Sequence, residues 1–391
     1  MKSQKLNNLH IKKIPPLSLY IHFPWCIKKC PYCDFHSYEI KKNISEKKYL
    51  KALLIDIELS LPIILNRKIH TIFIGGGTPS LISDTGLDYL LNNIKKLLLL
   101  KENISITLEA NPSTFEIEKF HSYSIIGINR LSIGIQSFND KHLNILGRTH
   151  NSKQAKYAIE IAKQYFNNFN LDLIYALPKQ TLSELILDVN YAIQYSPPHV
   201  SLYSLTIEPN TYFFKYPPLS LPNNDKNAIM QDKITNLLKS YYYKNYEISA
   251  YSKTGYESQH NLNYWKFGDY LGIGAGSHSK LSFPNYIIRQ IRYKNPNTYL
   301  KNIFSGNSIA KSKKIKKKYL VFEFMLNALR LKNGFSPNLF FDRTGINIKI
   351  IEPKLKNAEK LGLLKRNNKN IKPTTFGRYF LNDLQQIFLN D

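Results

Sequence analysis

The stretch YIHFPWCIKKCPYCDFHSY, residues 20–38, contains all three cysteines of the 391-residue chain. Cys26, Cys30 and Cys33 follow a strand-like run with the spacing Cys-x3-Cys-x2-Cys. Because the number of thiols is odd and they are tightly clustered, the pattern argues against a disulfide framework and indicates metal binding. Thiolates are the ligands of iron–sulfur clusters, and a set of three leaves one iron open to another ligand.

A zinc ion held by the three thiolates together with His22 or His36 is the alternative to such a cluster. Structural zinc sites usually draw on two separated ligand pairs, whereas these thiols occupy one loop. The spacing therefore favours a polynuclear iron–sulfur centre.

Strand-like and helix-like segments alternate along the chain outward from this stretch. The apolar runs that predict strands are SLYIHF, HTIFIG, SITLEA, RLSIGIQ, NLDLIYALP and HVSLYSLTI. Helical-period segments lie between them, and the first begins after a candidate N-cap at Ser45. This succession predicts an α/β fold with a partial (β/α)6 barrel, whose ligands bind at the carboxyl ends of the strands. The cysteines then lie on the loop after the first strand, at the functional end.

The pattern changes after Glu208, where a proline-rich stretch interrupts the alternation. An α+β middle region follows, with GDYLGIGAGSHS (residues 268–279) predicted as a glycine-rich loop, and the last segment predicts three helices and a hairpin resembling a winged-helix module. We therefore expect an N-terminal extension, a barrel core, a middle region and a C-terminal module at residues 1–17, 18–208, 209–310 and 311–391.

The formal net charge of +26 suggests an anionic partner. Lysine is abundant along the whole chain, however, which indicates a compositional background, and no nucleic-acid partner is expected. The dense run KSKKIKKK, Lys311 to Lys318, is the local exception, and it predicts peripheral contact with anionic lipid, with RNA as the alternative. Neither a signal peptide nor a membrane span is recognisable, so we expect a soluble cytoplasmic protein.

The cysteine spacing, with Tyr32 before the last thiol, resembles the signature of the radical S-adenosylmethionine (SAM) family. The resemblance implies a radical SAM barrel with a four-iron four-sulfur cluster on the three cysteines, whose open iron binds the amino and carboxylate groups of SAM. The motif GGGTPS, Gly75 to Ser80, ends the second predicted strand and is similar to the family's contact with the SAM amino group.

Polar residues at successive strand ends fit the same ligand, because carboxylates suit its ammonium and ribose groups and Arg148 suits its carboxylate. The resemblance implies these SAM-binding residues: Tyr20, Tyr32, Gly76, Gly77, Thr78, Glu109, Gln136, Arg148 and Asp172. No catalytic residue is assigned.

Within that family, YIHFPWC, GGGTPS, GIQSF, DLIYALP and the C-terminal module resemble the oxygen-independent coproporphyrinogen III oxidases and the related HemW heme chaperones. Phe35 stands where the oxidases carry a fourth cysteine, which places oxidase activity in doubt. HNLNYW, His260 to Trp265, is similar to the HNxxYW motif associated with heme binding in HemW-like proteins. His260 is therefore the expected heme contact, with Tyr264 and Trp265 as neighbours and His278 as an alternative.

The resemblance implies a heme chaperone that carries SAM and the cluster and transfers heme to an acceptor protein, such as a membrane haemoprotein. An oxygen-independent coproporphyrinogen III oxidase is the first alternative, and a nucleic-acid-modifying radical SAM enzyme is the second. The resemblance covers both enzymes and chaperones, so it implies a radical SAM protein without assigning it a reaction.

Overall fold

The computed structural model describes residues 9–40 and 45–389. Within them, one twelve-stranded mixed sheet and two small two-stranded sheets are present. In chain order the strands are β1 (Leu17–Phe23), β2 (Trp25–Cys26), β3 (Tyr38–Glu39), β4 (Ile69–Gly76), β5 (Leu100–Ala110), β6 (Arg130–Gln136), β7 (Phe169–Tyr175), β8 (His199–Ser204), β9 (Lys244–Asn245), β10 (Ala250–Ser252), β11 (Asp269–Ile273), β12 (His278–Phe283), β13 (Tyr286–Arg292), β14 (Ile309–Lys314), β15 (Leu364–Arg366) and β16 (Ile371–Pro373). The order in the large sheet is β14-β13-β12-β11-β1-β4-β5-β6-β7-β8-β10-β9.

The helices cover the outer face of this sheet and build the C-terminal module. In chain order they are α1 (Glu46–Ile64), α2 (Asp84–Leu97), α3 (Thr114–Ile117), α4 (Phe120–Ile126), α5 (Asp140–Ile145), α6 (Ser152–Tyr165), α7 (Leu182–Gln194), α8 (Tyr212–Lys215), α9 (Asn224–Ser240), α10 (Gln259–Trp265), α11 (Pro296–Ile303), α12 (Lys317–Ala328), α13 (Pro337–Thr344), α14 (Glu352–Lys360), α15 (Thr375–Tyr379) and α16 (Leu381–Gln386). Asn151 and Thr181 start α6 and α7 with capping boxes, which pair backbone N–H groups that have no partner inside the helix.

The six predicted strands are confirmed as β1 and β4 to β8, which lie side by side and parallel. Helices connect successive members, so the α/β class and the partial six-stranded barrel are also confirmed. Because parallel strands all end at the same edge, the loops after these six strands meet at one end of the barrel.

Polar side chains line the inside of this barrel at alternate strand positions. On β6, Leu131 and Ile133 are fully buried in the apolar core, whereas Arg130, Ser132 and Gln136 face the internal cavity. Successive residues of a strand point to opposite faces, so one face can be apolar and the other polar. These strands therefore alternate between apolar and polar positions and are not the nearly continuous apolar runs that the sequence predicts.

The predicted glycine-rich loop at residues 268–279 is wrong in its first half, which forms β11 parallel to β1. Glycine fits this strand because a Cβ atom at Gly272 would lie 2.0 Å from the carbonyl oxygen of His278. Strands β12, β13 and β14 continue the same sheet in antiparallel pairs. The middle region therefore shares a sheet with the barrel, and the proposed boundary at residue 208 remains a prediction.

The C-terminal module has its own apolar core, built by α12, α13 and α14 and by the hairpin of β15 and β16. Three helices followed by a hairpin confirm the winged-helix-like arrangement. The sequence predicts a hairpin over residues 363–381, but the structure ends it at β16, because Thr374 caps a helical segment that follows. Leu9 and Ile11, from the predicted N-terminal extension, pack into this core. Residues 1–8 of that extension lie outside the described part.

The lysine run predicted to contact membrane begins within β14, the last strand of the sheet at that edge. The side chains of Lys311, Lys313 and Lys314 are exposed. Lysines on an edge strand discourage pairing with another chain, which is a structural reason for their presence. Membrane contact through this run remains a prediction. In the described ranges, no helix combines the length and the apolar character needed to cross a membrane.

Candidate cluster and cofactor site

The cysteine loop is closed at its base by a two-residue parallel ladder between β2 and β3. Cys26 belongs to this ladder and is buried, whereas Cys30 and Cys33 are partly exposed. The backbone N–H of Cys33 donates to the carbonyl oxygen of Cys30 at 3.0 Å, which makes a tight turn between them. Lys29 Nζ donates to the carbonyl oxygen of Phe35 at 3.0 Å and ties the loop together. The three thiols therefore project from an ordered loop beyond β1.

Burial raises the pKa of the Cys26 thiol to about 11 and also raises that of Cys33. These thiols must lose their protons to become ligands, so metal binding is coupled to proton release. The Arg148 guanidinium lies 3.6 Å from Cys30 Sγ and provides positive charge beside the thiolates. This donor set fits a cluster that binds three soft thiolates.

The zinc alternative gains no support from the geometry. No three His, Cys, Asp or Glu side chains in residues 9–40 and 45–389 are arranged to hold a single metal ion. In a polynuclear cluster each thiolate binds a different iron, so the ligands need not surround one ion. His22 uses one ring nitrogen with Tyr20 and the other with the carbonyl oxygen of His36, at 2.9 and 2.8 Å. His36 itself contacts the carbonyl oxygen of Lys294 at 3.0 Å.

The glycine motif after β4 packs directly against the segment that carries Cys26. A Cβ atom at Gly77 would lie 2.3 Å from the carbonyl oxygen of Trp25, and Gly76 adopts a φ of +121°. Both positions therefore require glycine. The N–H groups of Gly77 and Thr78 donate to Phe23 and Trp25, each at 2.7 Å. These bonds fix the glycine motif beside the cysteine loop.

A cavity of about 490 Å³ extends from the cysteine loop into the barrel. All three cysteines line it. Of the nine predicted SAM-binding residues, the structure brings eight to its wall: Tyr32, Gly76, Gly77, Thr78, Glu109, Gln136, Arg148 and Asp172. Tyr20 lies outside this lining, with its hydroxyl 2.9 Å from Nδ1 of the buried His22. The SAM-binding roles of these residues remain predictions.

The acidic residues of the cavity are held in low-dielectric surroundings. Burial raises the pKa of Glu109 to about 8, although its carboxylate accepts a hydrogen bond from Gly76 N at 3.1 Å. Burial also raises the pKa of Asp172, which accepts bonds from Ser132 Oγ and Asn170 Nδ2 at 2.9 Å. A ligand ammonium would favour the ionised carboxylates, so the cavity suits a ligand with cationic and hydroxyl groups.

Arg148 supplies the positive side of the upper cavity. Its Nη2 donates to Asn111 Oδ1 at 2.6 Å and to the carbonyl oxygen of Gly134 at 3.0 Å. Its buried Nε has no partner within the described chain. A guanidinium with one free donor, placed beside the cysteine loop, suits the carboxylate of an amino acid-like ligand.

Several cavity residues were not predicted from the sequence. They are Asn111, Arg130, Ser132, Asn170, Ser201, Tyr203 and Asn261, among others. Most occupy alternate positions on β6, β7 and β8, so a period of two in the polar residues is the signal that identifies them. Asn261 comes from α10 and has no such local signal.

His260, the predicted heme contact, is 3% exposed on α10. Its Nδ1 is 2.8 Å from Thr71 Oγ1 on β4, and its Nε2 is 3.0 Å from the hydroxyl of Tyr264. Burial, with the nearby Arg130 charge, lowers the pKa of His260 to about 3, so the ring is neutral. Both ring nitrogens are therefore occupied in this conformation.

The rest of the HNxxYW motif closes the end of the barrel opposite the cysteine loop. Asn263 Nδ2 donates to Ser18 Oγ on β1 at 2.9 Å and to the carbonyl oxygen of Asp269 at 2.8 Å. The Arg330 guanidinium lies 4.3 Å from the ring centre of Trp265 and connects the motif to the C-terminal module. His278, the alternative heme contact, is exposed at the start of β12.

Comparison with known proteins identifies relatives of both the barrel and the C-terminal module. The family model of the radical SAM superfamily matches residues 20–192, and that of the HemN C-terminal domain matches residues 315–380. A protein named heme chaperone HemW from Buchnera aphidicola subsp. Acyrthosiphon pisum is 48% identical over 96% of this chain and 99% of its own length. Proteins of the same name are 46% identical in Haemophilus influenzae, over 97% and 99%, and 42% in Escherichia coli K12, over 96% and 99%.

Among solved structures, the radical SAM coproporphyrinogen III oxidase HemN from Escherichia coli is similar in fold. Its TM-score is 0.82, with 20% sequence identity over 96% of this chain and 90% of that protein. The likeness confirms the architecture of the barrel, the extended sheet and the C-terminal module.

Proposed function

Because the chain belongs to the HemW family of the radical SAM superfamily, we propose that it is a heme chaperone, which binds heme and passes it to an acceptor protein. The observation that carries this proposal is a sequence identity of 42–48% to proteins of that name over nearly the whole length of this chain. Phe35, at the cavity mouth, also supports it, because it provides no thiol at the position where the family resemblance places a fourth cysteine in the oxidases.

We propose further that Cys26, Cys30 and Cys33 hold a four-iron four-sulfur cluster and that the eight cavity residues hold SAM. When both are bound, they supply one-electron radical chemistry. The chain binds and orients them: the glycine motif offers close backbone contact, Arg148 neutralises a carboxylate, and Glu109 and Asp172 accept hydrogen bonds from ammonium and hydroxyl groups. The buried setting strengthens each of these interactions.

Heme binding through His260 requires at least one ring nitrogen to leave its present partner, Thr71 or Tyr264. We propose that α10 moves away from β4 when heme binds. The cavity mouth, at the opposite end of the barrel, is the alternative heme position, because Ile27 and Phe35 expose apolar surface there, each 56% exposed. An apolar macrocycle is stabilised by covering such surface.

The acceptor, the cellular location and the membrane contact belong to the same proposal. A cytoplasmic chaperone that delivers heme to a membrane haemoprotein has use for the exposed lysines between Lys311 and Lys318, since anionic lipid attracts such a run.

The proposal is tested by titrating heme into anaerobically reconstituted protein and recording the visible spectrum. We expect saturable binding in the wild-type protein, weaker binding and an altered spectrum in His260→Ala, and unchanged iron content in both. If His278→Ala loses heme binding and His260→Ala keeps the wild-type heme affinity, the heme site lies at the surface near β12. No saturable binding by the wild-type protein contradicts the chaperone function.

A further inference from the structure

Arg130 is a buried cation that the proposed chemistry does not use. It is the first residue of β6, it is 4% exposed, and it lines the internal cavity. Its side chain makes no hydrogen bond or ion pair within residues 9–40 and 45–389, and its Nε is a buried donor without a partner. By contrast, Arg292 is equally buried but pairs with Asp56 at 3.1 Å.

Burial lowers the pKa of Arg130, and the nearby Asp172 offsets only part of this effect. Asp172 lines the same cavity, but its oxygens accept bonds from Ser132 and Asn170 and form no ion pair with Arg130. The neighbouring His260 is neutral. An unpaired buried charge is costly, so the guanidinium is positioned for an anion that enters the cavity.

Asn261 provides a second group for such an anion. Its side chain lines the cavity from α10 and makes no hydrogen bond with the described residues, although its backbone N–H is bonded to Ser258. The amide N–H₂ group of Asn261 is a donor, as is the guanidinium, although the amide oxygen is itself an acceptor. An anion with two acceptor oxygens suits both donors.

This site lies at the opposite end of the cavity from Arg148 and the cysteine loop, and it adjoins Asp172, one of the residues proposed to bind SAM. Arg130 and Gln136 are the two ends of β6. Six residues at about 3.3 Å each place their Cα atoms roughly 20 Å apart. The SAM carboxylate that Arg148 is proposed to bind therefore lies at the end of β6 opposite to the Cα atom of Arg130.

We propose that Arg130 and Asn261 form a binding site for a small carboxylate at the closed end of the barrel. The planar guanidinium matches the two oxygens of a carboxylate, and its single charge matches a monoanion. The cavity of about 490 Å³ must also hold SAM, so a small free acid fits this end better than a tetrapyrrole. A propionate arm of a tetrapyrrole carries the same chemistry and is the other source.

The test uses the full-length reconstituted protein and carbon-13-labelled acetate, followed by line broadening in NMR spectra. We expect saturable acetate binding in the wild-type protein that weakens at least about tenfold in Arg130→Gln, because a charge-assisted bidentate contact is lost. Asn261→Ala should weaken it by a smaller factor. Lys28→Gln, which removes an exposed cation at the cavity mouth, is the matched control and should leave it unchanged.

Competition separates the two sources of the carboxylate. If the ligand is a free acid, neither heme nor its dimethyl ester should displace acetate. Displacement by heme but not by the ester assigns the site to a propionate arm. A thermal melt without added carboxylate provides a second readout: Arg130→Gln should melt at the same temperature or higher, because an unpaired buried charge is removed. Acetate binding that is absent in the wild type or unchanged in Arg130→Gln contradicts the proposal, as does a lower melting temperature of that variant with unchanged acetate affinity.

Discussion

At the carboxyl end of the barrel, three thiols and the free Nε of Arg148 face a cavity that opens to solvent. At the opposite end, the HNxxYW motif forms a floor in which His260 and Asn263 have buried partners. The open end thus presents its groups to the cavity, whereas the closed end is mostly bonded internally, with Arg130 Nε and Trp265 Nε1 as exceptions. Unsatisfied groups mark where ligands bind, whereas satisfied groups stabilise the fold until something displaces their partners.

The largest expected effect is at the open end. Replacing Cys26, Cys30 or Cys33 singly by serine should abolish bound iron and its visible absorption, because the hard hydroxyl does not replace a soft thiolate. Iron and sulfide analysis after anaerobic reconstitution measures this. His22→Ala and His36→Ala are the controls and should retain iron. Stoichiometric zinc without iron in the wild-type protein contradicts the cluster.

A second change sharpens the assignment of the open end to SAM. Arg148→Gln should weaken SAM binding on the order of 100-fold, since hydrogen bonds to charged groups contribute about 1.5–3 kcal/mol each. Equilibrium dialysis of the reconstituted protein measures the affinity, and iron analysis verifies that the cluster remains. Arg366→Gln, which breaks partly buried ion pairs with Glu352 and Glu359 in the C-terminal module, should leave SAM affinity unchanged. If both variants bind SAM with equal affinity, Arg148 is not part of the SAM site.

At the closed end, the expected loss is one of stability. His260→Ala should lower the free energy of unfolding by about 2 kcal/mol, because two buried hydrogen bonds of about 1 kcal/mol each disappear. Denaturant unfolding without heme measures this. His278→Ala is the matched control and should change stability by less than about 0.5 kcal/mol, because the side chain is exposed. If the two variants are equally stable, the hydrogen bonds of His260 do not stabilise the closed end of the barrel.

A further expected effect is a pH dependence of stability that belongs to Glu109, whose pKa is raised to about 8 by burial. Its neutral form is favoured in the folded state, so its contribution to stability is complete below the unfolded pKa of about 4.3 and is lost as pH rises towards 8. Glu109→Gln should flatten this decline when stability is followed between pH 5 and 8 in the absence of SAM. An unchanged slope indicates that another group titrates there.

The sequence predicted the barrel and the cluster loop because their signals are local. The cysteine spacing lies within one loop, and each barrel strand is an apolar run followed by an amphipathic helix. Strand β11 was missed because its glycines resemble loop residues, and only contact with the backbone of His278 explains Gly272.

The site at the closed end depends on tertiary contacts and could not be predicted in the same way. The residues next to Arg130 in the sequence do not indicate that its side chain lacks a partner, because the possible partners lie on β7, β8 and α10. The motif around His260 was recognised, but its bonds to Thr71 and Tyr264 follow only from the packing of α10 on β4. Local patterns identified candidate residues, and packing determined which of them have free donors.

The comparison of heme binding with oxidase turnover in one reconstituted sample tests the central claim most directly. With reductant, SAM and coproporphyrinogen, we expect no protoporphyrinogen, because Phe35 replaces the fourth cysteine and the chain has no thiol beyond the three in the loop. The same sample should bind heme saturably. Decarboxylation of coproporphyrinogen over many turnovers, with no saturable heme binding, would contradict the chaperone account and identify the chain as an oxidase.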